Sequence, residues 1–126
     1  MTKPGLPRVR ERPIHLAVLG LLRLRLPRVS AATIHHSAGE VDVSSKAVAR
    51  AIAKSKHMGM LVGWPDLTWL GSGGVLHAFE VKTPQGRMSP AQEAVRGAIE
   101  AAGGRYAVVR SVDEADAALK AWEAAR

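Results

Sequence analysis

The chain has 126 residues, which is enough for one domain built around one hydrophobic core. Its 18 lysines and arginines against 11 acidic residues give a formal net charge of +7, which favours a polyanionic partner, although a basic surface can also serve solubility alone. The absence of cysteine excludes a disulfide framework, a thiol nucleophile and a cysteine-ligated metal, and is compatible with a reducing cytoplasm.

Most of the excess positive charge is N-terminal. Residues 1–28 hold seven basic side chains and one acidic one, Glu11. Residues 1–10 are basic and rich in proline, which predicts a flexible arm ahead of a single domain over residues 11–126. The apolar run of residues 16–22 is too short to span a bilayer, and prolines interrupt the N-terminus, so we expect neither a membrane partner nor a secretory signal.

A first helix is predicted from about Arg12 to Leu24. Its apolar side chains recur with helical periodicity: Ile14, Val18, Leu21 and Leu22. Glu11 stands just ahead of this helix, where the helix dipole favours a carboxylate.

Residues 31–36 are predicted to form a strand that ends in two histidines, His35 and His36. These histidines, with Glu40 and Asp42 after them, match no zinc-binding spacing. A histidine near a substrate groove is the alternative.

A second helix is predicted from about residue 43 to residue 57, with Asp42 as its N-cap. One face of this helix carries basic side chains four residues apart: Lys46, Arg50 and Lys54. Such a stripe could follow a phosphate backbone, or it could simply face the solvent.

The central stretch contains two apolar runs, Gly63-Trp64-Pro65-Asp66-Leu67 and Leu76-His77-Ala78-Phe79-Glu80-Val81-Lys82, separated by a turn rich in glycine and serine. This pattern predicts a β-hairpin. In ordinary hairpin register, Asp66 at the start of the first strand lies beside Glu80 near the end of the second. Because strand side chains alternate, Lys82 lies on the same face as Glu80.

Two carboxylates, a backbone carbonyl and waters make the hard, oxygen-rich site that Mg²⁺ or Mn²⁺ prefers. A nearby ammonium such as that of Lys82 can orient an attacking water. A glutamate and a lysine two residues apart on an exposed strand usually face only the solvent. Residues 75–81 are too apolar for such a strand, so we expect Glu80 to be at least partly buried.

The third helix has clear boundary signals. Ser89 is its predicted N-cap, Pro90 occupies the first helical position, and Gln92 completes a capping box. Gly103-Gly104 ends the helix. Its predicted buried stripe is Ala91, Val95, Ala98, Ile99 and Ala102. Arg87, in the loop before this helix, could contact a phosphate.

Residues 105–110 form an apolar strand between charged ends, and the helix before it predicts a parallel crossover onto the sheet. Ser111 and Glu114 predict a capping box for a last helix. The predicted order is α-β-α-β-β-α-β-α: an α/β fold with a small mixed sheet flanked by helices.

Several motifs occur together in one order: Gly-Trp-Pro-Asp-Leu, Phe-Glu-Val-Lys-Thr-Pro, Gly-Arg-Met-Ser-Pro-Ala-Gln and Gly-Gly-Arg-Tyr-Ala-Val-Val-Arg-Ser. In this combination they resemble the VRR-NUC family of the PD-(D/E)XK nuclease superfamily. The resemblance implies a restriction-endonuclease-like core that hydrolyses DNA with Mg²⁺ or Mn²⁺ and leaves a 5′-phosphate and a 3′-hydroxyl. It implies the metal ligands Asp66, Glu80 and the Val81 carbonyl, the water-orienting Lys82, and supporting roles for Glu11 and Gln92.

For Gln92, the capping box is a sufficient structural explanation beside the role that the resemblance implies. The stripe Lys46, Arg50 and Lys54, together with Arg87, is the candidate nucleic-acid surface. Residues 111–126 carry four acidic and two basic side chains, so we expect them to face away from nucleic acid.

Small stand-alone members of the family resemble phage and bacterial nucleases that act as homodimers on branched DNA such as four-way junctions. The resemblance therefore implies a structure-selective endonuclease, a homodimer, no organic cofactor and a cytoplasmic location in a bacterium or a phage-infected cell. The alternative is a non-catalytic nucleic-acid-binding module, or an accessory subunit, that retains the fold. The intact Asp66, Glu80 and Lys82 favour the enzyme.

Overall fold

The computed structural model describes residues 10–37, 45–59 and 61–125. Their helices and strands are α1 (Glu11–Arg25), α2 (Arg28–Ala31), β1 (His35–His36), α3 (Lys46–His57), β2 (Leu67–Leu70), β3 (Leu76–Val81), α4 (Pro90–Ala101), β4 (Arg105–Val109) and α5 (Val112–Ala124). This is the predicted order with one short helix, α2, added. Apart from Arg10, the predicted N-terminal arm lies outside the described residues. None of the described helices is long and apolar enough to cross a membrane.

The four strands form one mixed sheet in the order β1-β2-β3-β4. The β1–β2 and β2–β3 pairs are antiparallel, whereas β3 and β4 are parallel. The predicted hairpin is thus β2–β3, joined by the turn Ser72–Gly74, and α4 is the crossover between β3 and β4. The predicted α/β fold class is confirmed.

One face of the sheet packs against α1 and α5 and holds the main hydrophobic core. Its buried side chains are Val18, Leu22, Leu67, Trp69, Phe79, Val81, Val109, Ala115 and Leu119. The Trp69 and Phe79 rings meet edge to face with centroids 4.9 Å apart. At the end of α1, Arg25 makes ion pairs with Asp116 and Glu123 of α5. The predicted stripe of α1 is confirmed, since Ile14 and Leu21 also pack against this core.

The other face of the sheet packs against α4. Val95 and Ile99 contact Ala78 and Tyr106 in a smaller core. The predicted stripe was wrong at two positions, because Ala98 and Ala102 are exposed and line an open apolar groove. These two alanines lie one step around the helix from the residues that point at the sheet. The helix ends as predicted, with Gly103 at φ +90°.

The segment between α1 and β2 differs most from expectation. The predicted strand over residues 31–36 is reduced to His35–His36, because Ala31 belongs to α2. Helix α3 begins at Lys46, with Ser45 as the N-cap that accepts a hydrogen bond from the Val48 N–H. The predicted cap, Asp42, lies outside the described residues. No residue of α3 is buried.

The last helix begins at Val112, after Ser111. The Ser111 Oγ accepts a hydrogen bond from the Glu114 N–H at 3.1 Å. The predicted capping box also requires the Glu114 side chain to accept a hydrogen bond from the Ser111 N–H. Within the described part of the chain, Ser111 and Glu114 do not form this second bond. A single cap bond still satisfies one of the free N–H groups at the start of the helix.

Candidate active site

The hairpin register brings the two predicted carboxylates together. Leu67 pairs with Phe79, so Asp66, one residue before β2, is opposite Glu80. The Asp66 Oδ2 accepts a hydrogen bond of 2.8 Å from the Val81 N–H. Both carboxylates are buried: Asp66 is 9% exposed and Glu80 is 1% exposed. The convergence and the burial expected from the strand pattern are therefore present.

Glu80 is held at one carboxylate oxygen. Its Oε1 accepts a hydrogen bond of 3.3 Å from Gln92 Nε2 and lies 3.8 Å from Lys82 Nζ. Its Oε2 is buried and receives no hydrogen bond from a donor among the described residues, whereas the Asp66 carboxyl is close enough to share a proton with the Glu80 carboxyl. A buried carboxylate oxygen without a donor is costly, so this atom needs an explanation.

Burial raises the pKa of Glu80 to about 9. The neighbouring Asp66 carboxyl acts in the same direction, as does Glu11, whereas Lys82 opposes the shift. When no cation is bound, Glu80 therefore holds a proton at neutral pH beside Asp66, as expected for two carboxyl groups that share a buried site. A divalent cation would favour the ionised form.

The donor set fits a hydrated Mg²⁺ or Mn²⁺. Asp66 and Glu80 offer hard carboxylate oxygens, and the Glu80 Oε2 has lone pairs to spare. Within the described parts of the chain, no group of three or more histidine, aspartate or glutamate side chains could hold a metal ion.

Comparison with known proteins identifies the family. The family model described as the VRR-NUC domain matches residues 13–113. A solved structure titled as a VRR_NUC domain protein has a TM-score of 0.68 and 20% sequence identity, covering 90% of this chain and 88% of that chain. A search of curated proteins finds no match.

The chain belongs to the VRR-NUC family. This confirms the resemblance seen in the ordered motifs, and it is consistent with the PD-(D/E)XK superfamily. Membership indicates a nuclease that acts on DNA. The structural likeness, at 20% identity, supports the fold.

In this VRR-NUC domain, Gln92 both caps α4 and contacts the Glu80 carboxylate. Its Oε1 accepts a hydrogen bond of 2.9 Å from the Ser89 N–H, and the Ser89 Oγ accepts one from the Gln92 N–H, which is the predicted capping box. Its Nε2 donates to Glu80. The helix cap thus fixes the amide that holds Glu80. The start of α4 is also packed closely, since a Cβ on Gly63 would lie 2.6 Å from the Ala91 carbonyl carbon.

Glu11 is the first residue of α1, half-buried, and just outside the span matched to the family. Its charge contributes to the raised pKa of Glu80, which places it near the site. His15, four residues further on the same helix, was not recognised from the sequence. Its ring meets the ring of His36 with centroids 4.6 Å apart. The four-residue spacing places Glu11 and His15 on one face of the helix, and this spacing is the sequence signal from which His15 could have been predicted.

Tyr106 was also missed. It is buried on β4, and its hydroxyl makes no hydrogen bond to any described residue. Burial raises the pKa of Tyr106, and the nearby Glu80 adds to the shift. A tyrosine in an apolar strand looks like an ordinary core residue, so the sequence carried no signal for this neighbour of the site.

The candidate nucleic-acid residues are all exposed: Lys46, Arg50, Lys54 and Arg87. Arg87 lies between the end of β3 and the start of α4, in the segment that also contains Lys82. The other three lie on α3, whose surface exposure fits a solvated face and a phosphate-contacting ridge equally well.

Proposed function

We propose that this protein is a metal-dependent DNA endonuclease. The observation that carries the proposal is Glu80: it is 1% exposed, its buried Oε2 receives no hydrogen bond from a donor among the described residues, and Asp66, Lys82 and Gln92 surround it. Replacing buried ionisable groups by apolar ones is often neutral or stabilising. A cluster of this kind is therefore better explained by chemistry than by stability.

In this proposal, the carboxylates of Asp66 and Glu80 and the carbonyl of Val81 hold Mg²⁺ or Mn²⁺. The bound cation would lower the pKa of a water in its shell and offset negative charge on the phosphoryl oxygens. Gln92 holds the Glu80 carboxylate in place through its 3.3 Å hydrogen bond. Glu11, at the start of α1, adds negative charge that strengthens cation binding.

Lys82 orients the attacking water in this scheme. Its Nζ is 3.8 Å from Glu80 Oε1, and the side chain is nearly buried, so the ammonium is held in a narrow range of positions. An ammonium donates hydrogen bonds and cannot accept them, so it would fix the water through the water's oxygen or offset charge on the phosphate. Hydrolysis adds water across the P–O3′ bond and leaves a 5′-phosphate and a 3′-hydroxyl.

We propose branched DNA, such as a four-way junction, as the preferred substrate, and a homodimer as the active form. A domain of 126 residues has little surface for reading a DNA sequence. Exposed basic side chains that contact phosphates give affinity and orientation without sequence information, which suits selection by shape. Two copies of the chain would present two sites, one to each of two strands among the four that form the junction.

The first test is metal-dependent cleavage. Labelled DNA is incubated with Mg²⁺, Mn²⁺ or EDTA and with the wild type, Glu80→Gln or Lys82→Ala. The matched controls are Glu93→Gln and Lys56→Ala, which make the same chemical changes at exposed positions. We expect cleavage by the wild type and both controls with metal, and none with EDTA or with either site variant. Equal cleavage in EDTA, or full activity of both site variants, would contradict the proposal.

The second test defines the substrate. A panel of four-way junction, fork, flap, single strand and plain duplex is cleaved under the same conditions, and the molar mass of the protein is measured by light scattering with and without junction DNA. We expect the junction to be cut fastest, by a dimer. Binding without cleavage of any substrate would instead identify a nucleic-acid-binding module.

A further inference from the structure

The edge strand β1 fixes the peptide group of Asp66. The Asp66 carbonyl oxygen accepts a hydrogen bond of 2.9 Å from the Ser37 N–H. It also lies 3.3 Å from the Nδ1 atom of His36. Because a carbonyl oxygen can only accept, the hydrogen of the His36 ring must be on Nδ1 for this bond to form. Two donors, one from β1 and one from the residue that follows it, therefore hold one side of the Asp66 peptide.

The other side of Asp66 is held by β3, where the Val81 N–H donates to its carboxylate at 2.8 Å. Asp66 precedes the first residue of β2, so it lies where regular strand pairing begins. Rotation of its peptide would turn the carboxylate away from Glu80. The contact with His36 adds a side-chain restraint at this point.

His36 is exposed, and its ring is itself supported by α1. The half-buried His15 meets it edge to face at 4.6 Å. Burial lowers the pKa of His15, and the nearby His36 acts in the same direction, which favours a neutral His15 that packs as an aromatic ring. A series of contacts thus runs from α1 through both histidines to Asp66.

We infer that His36 is a positioning residue for the Asp66 carboxylate and that His15 holds the His36 ring in place. The inference rests on the proposed role of Asp66 as a metal ligand. Groups that orient a metal ligand through a hydrogen bond affect metal affinity without touching the metal. His36 should therefore change the binding of the cation, and the cleavage rate that depends on it, more than the binding of DNA.

The test is the affinity for Mn²⁺ alone, measured by titration calorimetry on the full chain. The variants are His36→Ala, His36→Asn and His36→Gln, with the adjacent exposed His35→Ala as the matched control. The amide nitrogen of asparagine can occupy the place of the imidazole Nδ1, whereas that of glutamine extends one bond further. We expect about three- to tenfold weaker binding for His36→Ala and His36→Gln, the value of one neutral hydrogen bond. His35→Ala should bind Mn²⁺ like the wild type, and His36→Asn should bind it more tightly than His36→Ala and His36→Gln do.

A second pair of variants tests the support from α1. His15→Phe retains an aromatic ring against His36, and His15→Ala removes it. We expect only His15→Ala to weaken Mn²⁺ binding, by less than His36→Ala does. Cleavage assays on the same proteins should show a lower kcat at fixed subsaturating Mn²⁺ with an unchanged KM for DNA.

Failure of the inference is distinguishable from failure of the proposed function. If the wild type binds no Mn²⁺, or Asp66→Asn binds it equally well, the metal site itself is wrong. If the wild type binds Mn²⁺ and Asp66→Asn does not, while His36→Ala binds like the wild type, the positioning role is wrong. A raised KM for DNA in His36→Ala with unchanged Mn²⁺ affinity would likewise overturn it in favour of a substrate contact.

Discussion

The two faces of the sheet are built from the same strands and have opposite character. The fully buried side chains of the face against α1 and α5 are apolar, whereas the face against α4 carries buried polar and charged groups: Asp66, Thr68, Glu80, Lys82 and Gln92. The change occurs between neighbours, since Phe79 and Glu80 are consecutive and both almost completely buried. Strand alternation lets one segment serve the core on one side and the site on the other.

The difference between the two faces separates the groups that stabilise the fold from the groups that the proposed hydrolysis requires. Burying apolar side chains is favourable, whereas burying an unpaired carboxylate oxygen is not. The α1–α5 face should therefore determine stability and the α4 face should determine activity. Substitutions on either face, measured for activity and for stability, test this division.

The largest effect is expected from Glu80→Gln. It keeps the shape and the hydrogen bond from Gln92 within reach but removes the ionisable ligand, so kcat/KM should fall by about a thousandfold or more. The melting temperature without metal at neutral pH should be nearly unchanged, because Glu80 is already protonated there and glutamine is a neutral side chain of the same shape. Cleavage assays and thermal unfolding check this prediction; a large loss of stability would mean that Glu80 is needed for the fold.

On the opposite face, Phe79→Ala should reduce the free energy of unfolding by about 3–5 kcal/mol, because it opens a cavity beneath Trp69 and Trp122. Urea unfolding measures this loss. Below its melting temperature, the variant should still cut DNA with Mn²⁺. An inactive variant that is nevertheless folded would show that the two faces are not separable.

The raised pKa of Glu80 predicts how stability depends on pH. In the metal-free protein this pKa lies at about 9, above its ordinary value of 4.5, so the folded state binds the proton more tightly than the unfolded state. The stability that this proton contributes is complete below pH 4.5 and is lost as the pH rises to about 9. Between pH 4.5 and about 9, the unfolding free energy of the wild type should therefore fall relative to that of Glu80→Gln as the pH rises. A difference between the two proteins that does not change with pH would contradict this prediction.

Two substitutions with smaller expected effects separate the contacts that Gln92 makes with the helix cap and with Glu80. Ser89→Ala removes the cap but leaves the Gln92–Glu80 bond, so it should cost about 1 kcal/mol of stability and little activity. Gln92→Glu retains an acceptor for the Ser89 N–H but puts a second carboxylate against Glu80, so it should lose activity while the cap survives. Urea unfolding and cleavage assays of both variants test the separation; equal losses of activity would argue against it.

The smallest effect is expected from substitutions on α3, which belongs to neither face of the sheet. Replacing Lys46, Arg50 and Lys54 together by glutamine should leave stability unchanged, because all three are exposed. If each contacts a phosphate, the slope of log affinity against log salt should fall by about three. DNA binding measured between low and moderate salt distinguishes this ridge from a solvated face, which would leave the slope unchanged.

The sequence predicted the centre of the molecule well because the signals there are local. The hairpin register follows from strand alternation and a short turn, and it placed Asp66 opposite Glu80. The capping box at Ser89 is a pattern within four residues, and it located the start of α4 and the backbone of Gln92. The apolar character of residues 75–81 was sufficient to predict that Glu80 is buried.

The contacts that sequence reasoning missed depend on the packing of distant segments. His36 contacts Asp66 across 30 residues, through pairing of a two-residue strand that no periodicity reveals. Tyr106 reaches the neighbourhood of Glu80 only because β4 returns parallel to β3. The exposure of Ala98 depends on which side of α4 faces the sheet, and helical periodicity alone does not determine that side.

The central claim is that the α4 face performs metal-dependent hydrolysis independently of the core on the other face. The most direct test compares Glu80→Gln with the milder core variant Phe79→Leu, each assayed for DNA cleavage with Mn²⁺ and for melting temperature. We predict that Phe79→Leu melts below the wild type and still cuts DNA, whereas Glu80→Gln melts close to the wild type and does not. Loss of cleavage in proportion to loss of stability in both variants would contradict the account.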